Sequence, residues 1–319
     1  MKRKDFILAV LVVIVWGANF TVIKLGLGGV PPMLLVTLRY TLVAFPAVFF
    51  IKPPKMALKD ILLYGFTVGV GQFGCLFYAM HIGMPAGLAS IIVQLQAFIS
   101  PLLGYLLLKE QFKTKQLVGF LIGALGLLVI GVASSTIGIT SIPIGAILLT
   151  ICAPIFWSIS NIVAKTASKK SMEKGEQLDM LSLVVWGSLV PPIPTLILAL
   201  LIDSPQTLIN SMSNLDMMSI FAVLYLAFGS TLFGYGFWSI LISKYPINKI
   251  SPLSLLVPIT GLLTASIVLL EKLSKLQWLG VYVIIIGLMV TNLDVKQIIN
   301  MINKNKTKEF GKPNDNILN

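Results

Sequence analysis

The chain has 319 residues, of which 56% are hydrophobic and only 11% charged. Soluble domains carry about a quarter charged residues, so a soluble globular fold is excluded. The formal charge of +12 does not indicate nucleic-acid binding, because the basic residues lie almost entirely between and after long apolar runs.

Ten such runs follow one another, each about the length needed to cross ~30 Å of hydrocarbon. The first, 6–25, follows Lys2, Arg3 and Lys4, lacks a small-residue cleavage pattern and is read as a retained helix rather than a leader; it carries Trp16 and Asn19. The second, 33–51, holds Arg39. The third, 61–81, contains Gln72 and Tyr78, and its Gly65 and Gly69 form a GxxxG. The fourth, 86–108, contains Gln94, Gln96 and Pro101, and the fifth, 116–133, spaces Gly119, Gly123 and Gly126 along one face. Such glycines let helices approach closely, within the chain or in a homodimer. The sixth, 143–164, brings Trp157 and Asn161; the seventh is 179–202; the eighth, 217–241, carries Tyr235 and Trp238. Pro252 and Pro258 fall in the ninth, 248–270, and the tenth is 276–293. Each of Pro101, Pro252 and Pro258 removes a backbone hydrogen bond and permits a kink. Residues 294–319, rich in Lys and Asn, read as a disordered cytoplasmic tail.

Basic residues set the orientation. With the N-terminus in the cytoplasm, twenty of the 24 Lys and Arg fall inside, which places both termini in the cytoplasm. Cys75 and Cys152 both sit in apolar runs without metal-ligand spacing, so they read as small apolar fillers. No metal or cofactor is expected.

The sequence also repeats itself. At a constant offset of 161, Tyr64 meets Tyr225, Pro85 meets Pro246 and Ser90 meets Ser251. Further on, Glu110 meets Glu271, Gln116 meets Gln277, Gly119 meets Gly280 and Gly126 meets Gly287. At offset 141, Trp16 meets Trp157 and Lys24 meets Lys165. Five helices per copy is an odd number, so the second copy is inverted in the bilayer. The predicted architecture is an all-α integral membrane protein of ten transmembrane helices. It divides into a five-helix repeat at 1–133 and its inverted counterpart at 143–293, with a substrate site near the midplane between them.

Arg39 lies about six residues, roughly 9 Å, below the outer end of its helix. Facing lipid there would cost several kcal/mol, so the guanidinium is expected to face the bundle interior, in a substrate cavity or in a structural pairing. All twelve acids lie in loops, tails or helix ends. An Arg without an intramembrane acid suits a substrate carboxylate, which it grips bidentately. Polar candidates for the pathway are Asn19, Gln72, Gln94, Gln96 and Asn161, with Trp16, Tyr78, Trp157, Tyr235 and Trp238 as aromatic walls. Gln94 and Gln96 stand about 200° apart on a helix, so only one can face a given cavity. His81, at a helix end, reads as structural. An intramembrane enzyme would need paired acids, histidine boxes or an aspartate-rich motif, and a scaffold or sensor would need a large extramembrane domain; neither pattern is found.

WGANFTVIK (16–24), LRY (38–40), MPAGLAS (84–90) and the Glu110 and Glu271 helix ends resemble the EamA family of the drug/metabolite transporter superfamily, over about residues 6–292. Within it, QLQAF (94–98) and PLSLLVPITGLL (252–263) are similar to the branch exporting O-acetylserine and cysteine. The superfamily often carries a proline 13 residues before each repeat's Glu; Pro258 keeps it, while Ala97 replaces it as in that branch. The resemblance implies ten helices, a bacterial inner-membrane location and efflux of small amino-acid metabolites. Other hydrophobic or anionic metabolites, or drugs, are the alternative cargo.

Overall fold

The computed structural model describes residues 1–84, 86–111, 114–135, 142–268 and 274–292, and every regular element among them is helical. In chain order the apolar helices are α1 (Arg3–Gly26), α2 (Pro32–Phe49), α3 (Leu58–His81), α4 (Ala89–Leu108), α5 (Thr114–Ser135), α6 (Ile144–Glu173), α7 (Met180–Ile202), α8 (Met217–Lys244), α9 (Ile247–Thr264) and α10 (Lys275–Asn292). Eight of these are long and apolar enough to cross a membrane among the described residues; α5 and α10 hold shorter apolar windows, Thr114–Ile130 and Trp278–Gly287. A short helix at Pro205–Ser213, capped by Ser204, joins α7 to α8. The pairs with Pro85 and Glu271, and the predicted tail, involve positions outside the described residues.

The distribution of side chains is that of a bilayer protein. Ile193, Leu201 and Ile267 are each at least 70% exposed, while Arg39, Gln94, Gln96 and Ser100 are fully buried. Hydrocarbon, acting as solvent, accepts the first set and rejects the second.

Three departures from uninterrupted α-helix shape the bundle. In α3 the stretch Phe66–Gly74 is π-helical, and in α8 so is Tyr225–Tyr235. These stretches correspond at the 161-residue offset. The wider turn leaves carbonyls to be satisfied by side chains, as π segments at functional sites commonly do. Tyr40 Oη donates to Val68 O at 3.4 Å, and Trp16 Nε1 donates to Ser230 O at 3.1 Å. In α4 and α9, 3₁₀ turns at Val93–Leu95 and Ser251–Leu256 again occupy corresponding places. Pro252 opens the second of these, Pro258 follows its end, and Pro101 lies inside α4. The third departure is in α7, broken at Pro191–Pro192, where two successive residues lack N–H donors.

Helix α6 runs nine residues past the boundary expected at 164. The stretch KTASKKSME contains no helix breaker, and the helix ends only before Gly175, whose φ of +73° is a left-handed stop.

Both glycine stripes are filled from within the chain. A methyl added at Gly126 would lie 2.9 Å from Gly280 O, and one at Gly287 would lie 2.7 Å from Gly119 O. A methyl on Gly65 would overlap Gly187 O. A homodimer would therefore have to use another face.

One end of the bundle gathers the charged side chains. Lys244 pairs with Asp5 at 3.8 Å, Lys170 with Asp60 at 4.0 Å and Lys55 with Glu176 at 2.8 Å. The tie of residue 5 to the end of α8 is reinforced by Tyr245 Oη, which donates to Asp5 Oδ2 at 2.6 Å.

Candidate functional site

A cavity of about 20 Å³ lies at the centre of the bundle, room for about one water. Its walls come from six helices: Trp16, Asn19 and Phe20 of α1, Gln72, Phe73 and Leu76 of α3, Val93 and Gln94 of α4, Trp157 of α6, Ser230 and Tyr235 of α8, and Val257 of α9. None of these side chains is a carboxylate.

The aromatic part is a contiguous cluster. Trp16 stands edge-on to Trp157 at 5.1 Å, and its ring lies 4.9 Å from Tyr235 and 5.0 Å from Trp238. Trp16 and Trp157 are counterparts in the sequence repeat, so equivalent residues of the two halves meet at the cavity. The polar part is unusual in a different way. Asn19 Oδ1, Gln72 Oε1, both amide atoms of Gln94 and Trp157 Nε1 are buried with no hydrogen-bond partner among the described residues. Buried polar groups are nearly always paired, and this many open valences among the residues lining one cavity make it the candidate site.

Toward the charged end the amides are satisfied. Gln96 donates to Ser254 Oγ, Asn161 donates to Ser100 Oγ at 3.1 Å, and Trp238 Nε1 donates to Asn161 Oδ1 at 3.3 Å. Ser100 in turn bonds Ser158 at 3.1 Å. Of the two glutamines spaced two apart, Gln94 thus meets the cavity and Gln96 binds neighbouring helices.

Below that layer, the break between α8 and α9 is clamped. Lys165 Nζ donates to Ile242 O at 2.8 Å and Tyr245 O at 2.7 Å, carbonyls at the C-terminal end of α8. Glu110 Oε2 accepts from Ile247 N at 2.9 Å, an orphan donor at the start of α9. A cation at the carbonyl end and a carboxylate at the N–H end both complement the helix dipoles. Lys24, the repeat counterpart of Lys165, is exposed.

Arg39 is fully buried but is not among the cavity-lining residues. Its Nε donates to Thr231 Oγ1 and its Nη2 to Ser230 Oγ at 3.1 Å. The guanidinium carbon sits 3.8 Å above the Phe73 ring, and Nη1 has no partner. Among the described residues no acid pairs with it. The cation–π contact supplies about 2 kcal/mol when desolvated, and each hydrogen bond to the charge about 1.5–3 kcal/mol. Phe73 and Ser230 therefore form a wall one side chain thick between the buried cation and the cavity.

Of the sequence-predicted residues, the cavity brings together Trp16, Asn19, Gln72, Gln94, Trp157 and Tyr235. Arg39, Gln96, Asn161 and Trp238 support it from behind, and Tyr78 is elsewhere, stacked on His81 at 6.2 Å. Sequence reasoning did not single out Phe73, Ser230 or Thr231. Ser230 and Thr231 are an adjacent hydroxyl pair in an apolar run, a signal that could have drawn attention. Among the described residues no three His, Cys, Asp or Glu side chains are grouped as metal ligands.

The chain matches the EamA-like transporter family over residues 4–132 and 144–293. It is 43% identical over 288 residues to a probable amino-acid metabolite efflux pump of Escherichia coli, covering 90% of this chain and 94% of that one. A pump of the same description in Salmonella typhimurium is equally similar. An uncharacterized transporter of Archaeoglobus fulgidus is 26% identical over 296 residues, covering 88% of this chain and 99% of that one. A solved crystal structure 16% identical shares the fold, with a TM-score of 0.69 over 91% of this chain and 98% of the other.

Proposed function

The chain belongs to the EamA-like transporter family, and from that premise we propose that it is a secondary transporter exporting amino acids and related metabolites of the cysteine and O-acetylserine class. The carrying observation is Arg39, a buried cation with a free Nη1 and no described acid partner, one aromatic ring from a central cavity. A substrate carboxylate supplies the missing anion when Phe73 swings aside. Export as the direction, and the cysteine-related cargo, draw on the efflux-pump relatives.

The cycle is alternating access between two inverted five-helix repeats, 1–133 and 143–293, with α5 and α10 as the fifth and tenth spans. Support comes from the paired π and 3₁₀ segments, the meeting of Trp16 with Trp157, and the reciprocal contacts of Gly126 with Gly280 and Gly119 with Gly287. The charged end faces the cytoplasm of a bacterial inner membrane, carrying both termini. There the Lys165–Glu110 clamp closes the path, while its counterpart lysine, Lys24, stays open to the outside. The chain works without chemistry on its cargo, as a transporter and not an enzyme. The alternative cargo is other hydrophobic or anionic metabolites or drugs, and the aromatic walls favour its hydrophobic members.

Counterflow of labelled cysteine and O-acetylserine in liposomes tests the reading. Saturable exchange is the expected result; no exchange by protein shown to be folded sinks it.

A further inference from the structure

We propose that the cavity binds the protonated amino group of its substrate through uncharged carbonyl oxygens and indole faces, and so selects free α-amino compounds over their N-acylated forms. Asn19, Gln72 and Gln94 come from α1, α3 and α4 and line one cavity. Each presents a buried oxygen without a donor: Asn19 Oδ1, Gln72 Oε1 and Gln94 Oε1. An ammonium group carries three N–H donors and no acceptor, so the three open amide oxygens match it in number, and the open donors of the same cavity, Gln94 Nε2 and Trp157 Nε1, are left for the acceptor oxygens of the substrate. Trp16 and Trp157 line the same cavity, and indole rings attract a desolvated cation.

The neighbouring layer argues against a purely structural role for these amides. One turn away, Gln96 and Asn161 are the same residue types, and they are bonded to Ser254, Ser100 and Trp238. The fold satisfies both ends of these structural amides and leaves the oxygens of the three at the cavity open. Arg39 lies behind Phe73 and Ser230, so the site has a positive pole behind one wall and acceptor oxygens on the others. That is the charge pattern of a zwitterion. No carboxylate lines the cavity, so recognition of the amino group stays constant between about pH 5 and 8, where ammonium itself remains protonated.

This inference deepens the transport reading and rests on it only for the carboxylate half of the substrate. The test is binding to the purified full-length protein, read by tryptophan fluorescence, with L-serine, N-acetyl-L-serine and 2-aminoethanol as probes. L-serine should bind at least tenfold more tightly than its N-acetyl form. Gln94→Leu should erase that preference, and the nearly isosteric Gln94→Glu should tighten 2-aminoethanol at least tenfold; the second variant keeps the test open if the first does not fold. Binding of 2-aminoethanol without L-serine upholds the ammonium site and removes the carboxylate half of the transport reading. Equal binding of L-serine and N-acetyl-L-serine, or no binding of any probe, overturns the proposal.

Discussion

The π-helical stretch of α3, Phe66–Gly74, and that of α8, Tyr225–Tyr235, lie at corresponding places in the two halves of the sequence, yet they meet their neighbours with opposite chemistry. In α3, Gly69 lets the Pro191 ring of α7 come so close that an added methyl would overlap Pro191 Cγ. At the matching position, 161 residues on, α8 carries Ser230, whose hydroxyl accepts from the Arg39 guanidinium of α2. One contact is dry and packed to the limit; the other holds a buried charge. The two segments thus share their backbone geometry, and one side chain per position decides whether the contact is apolar or charged.

That contrast can be broken from the α3 side with the largest effect. Gly69→Ser copies the α8 residue into α3, and Gly65→Ala places a methyl against the Gly187 carbonyl; overpacking of this kind costs about 1–3 kcal/mol or more. Both variants are expected to lose monodisperse, folded protein in detergent chromatography, and normal folding of either would refute the packing argument.

Removing the charge comes next. Arg39→Met should lower exchange by about a hundredfold and Arg39→Lys, which lacks the planar fork, by about tenfold. The thermal unfolding temperature of Arg39→Met should change little, since removing the charge removes its burial cost together with its hydrogen bonds and ring contact. Normal transport by both variants would end the carboxylate role.

Ser230→Gly makes α8 resemble α3. It deletes one hydrogen bond to a charged group, while Thr231 and the Phe73 ring still hold the guanidinium, so exchange should fall only several-fold with the fold retained. A variant indistinguishable from the parent in counterflow would show that Thr231 alone holds the guanidinium.

The smallest difference lies at the starts of the two helices. Asp216 caps α8 by accepting from Ser219 N at 2.8 Å, whereas the corresponding end of α3 begins at Ala57 with no side-chain cap. Hydrogen bonds from the Ser219 hydroxyl and backbone N–H hold the Asp216 carboxyl below its usual 3.8. Its folded value being depressed, the stabilisation is present above the unfolded value and lost as pH falls through the folded one. Asp216→Ala should therefore lower the unfolding temperature by about 1–2 °C at pH 7, the size of a modest cap, and the gap to the parent should close as acid protonates the carboxylate. A gap that persists in acid would mean the carboxylate is not the cause.

The apolar runs, the skew of basic residues and the glycine spacings were legible in the sequence because each is a one-dimensional pattern. Arg39 stood out for the same reason, as a charge where hydrocarbon forbids one. The π turns were not legible: in a uniformly apolar stretch, a shift from 3.6 to wider turns leaves no trace in the order of residues. Nor was the shielding of Arg39 by Phe73, which depends on how α2, α3 and α8 meet. The pair Gln94 and Gln96 marks the boundary between the two kinds of knowledge. Their spacing says that they part company, and only the packing says which one faces the cavity. Lys165 was counted as a loop cation, whereas α6 carries it inward to the carbonyls that end α8.

Arg39 has a last consequence, electrical rather than chemical. A positive charge fixed inside the membrane stands in the transmembrane field, where moving one elementary charge across a 100 mV potential changes the energy by about 2.3 kcal/mol. If rocking carries the guanidinium across a tenth of that field, the equilibrium between the two states shifts by about 0.2 kcal/mol even when the cargo is neutral. Voltage would then enter the cycle through the protein's own charge, and a zwitterion could be moved with no net current yet at a rate that follows the membrane potential.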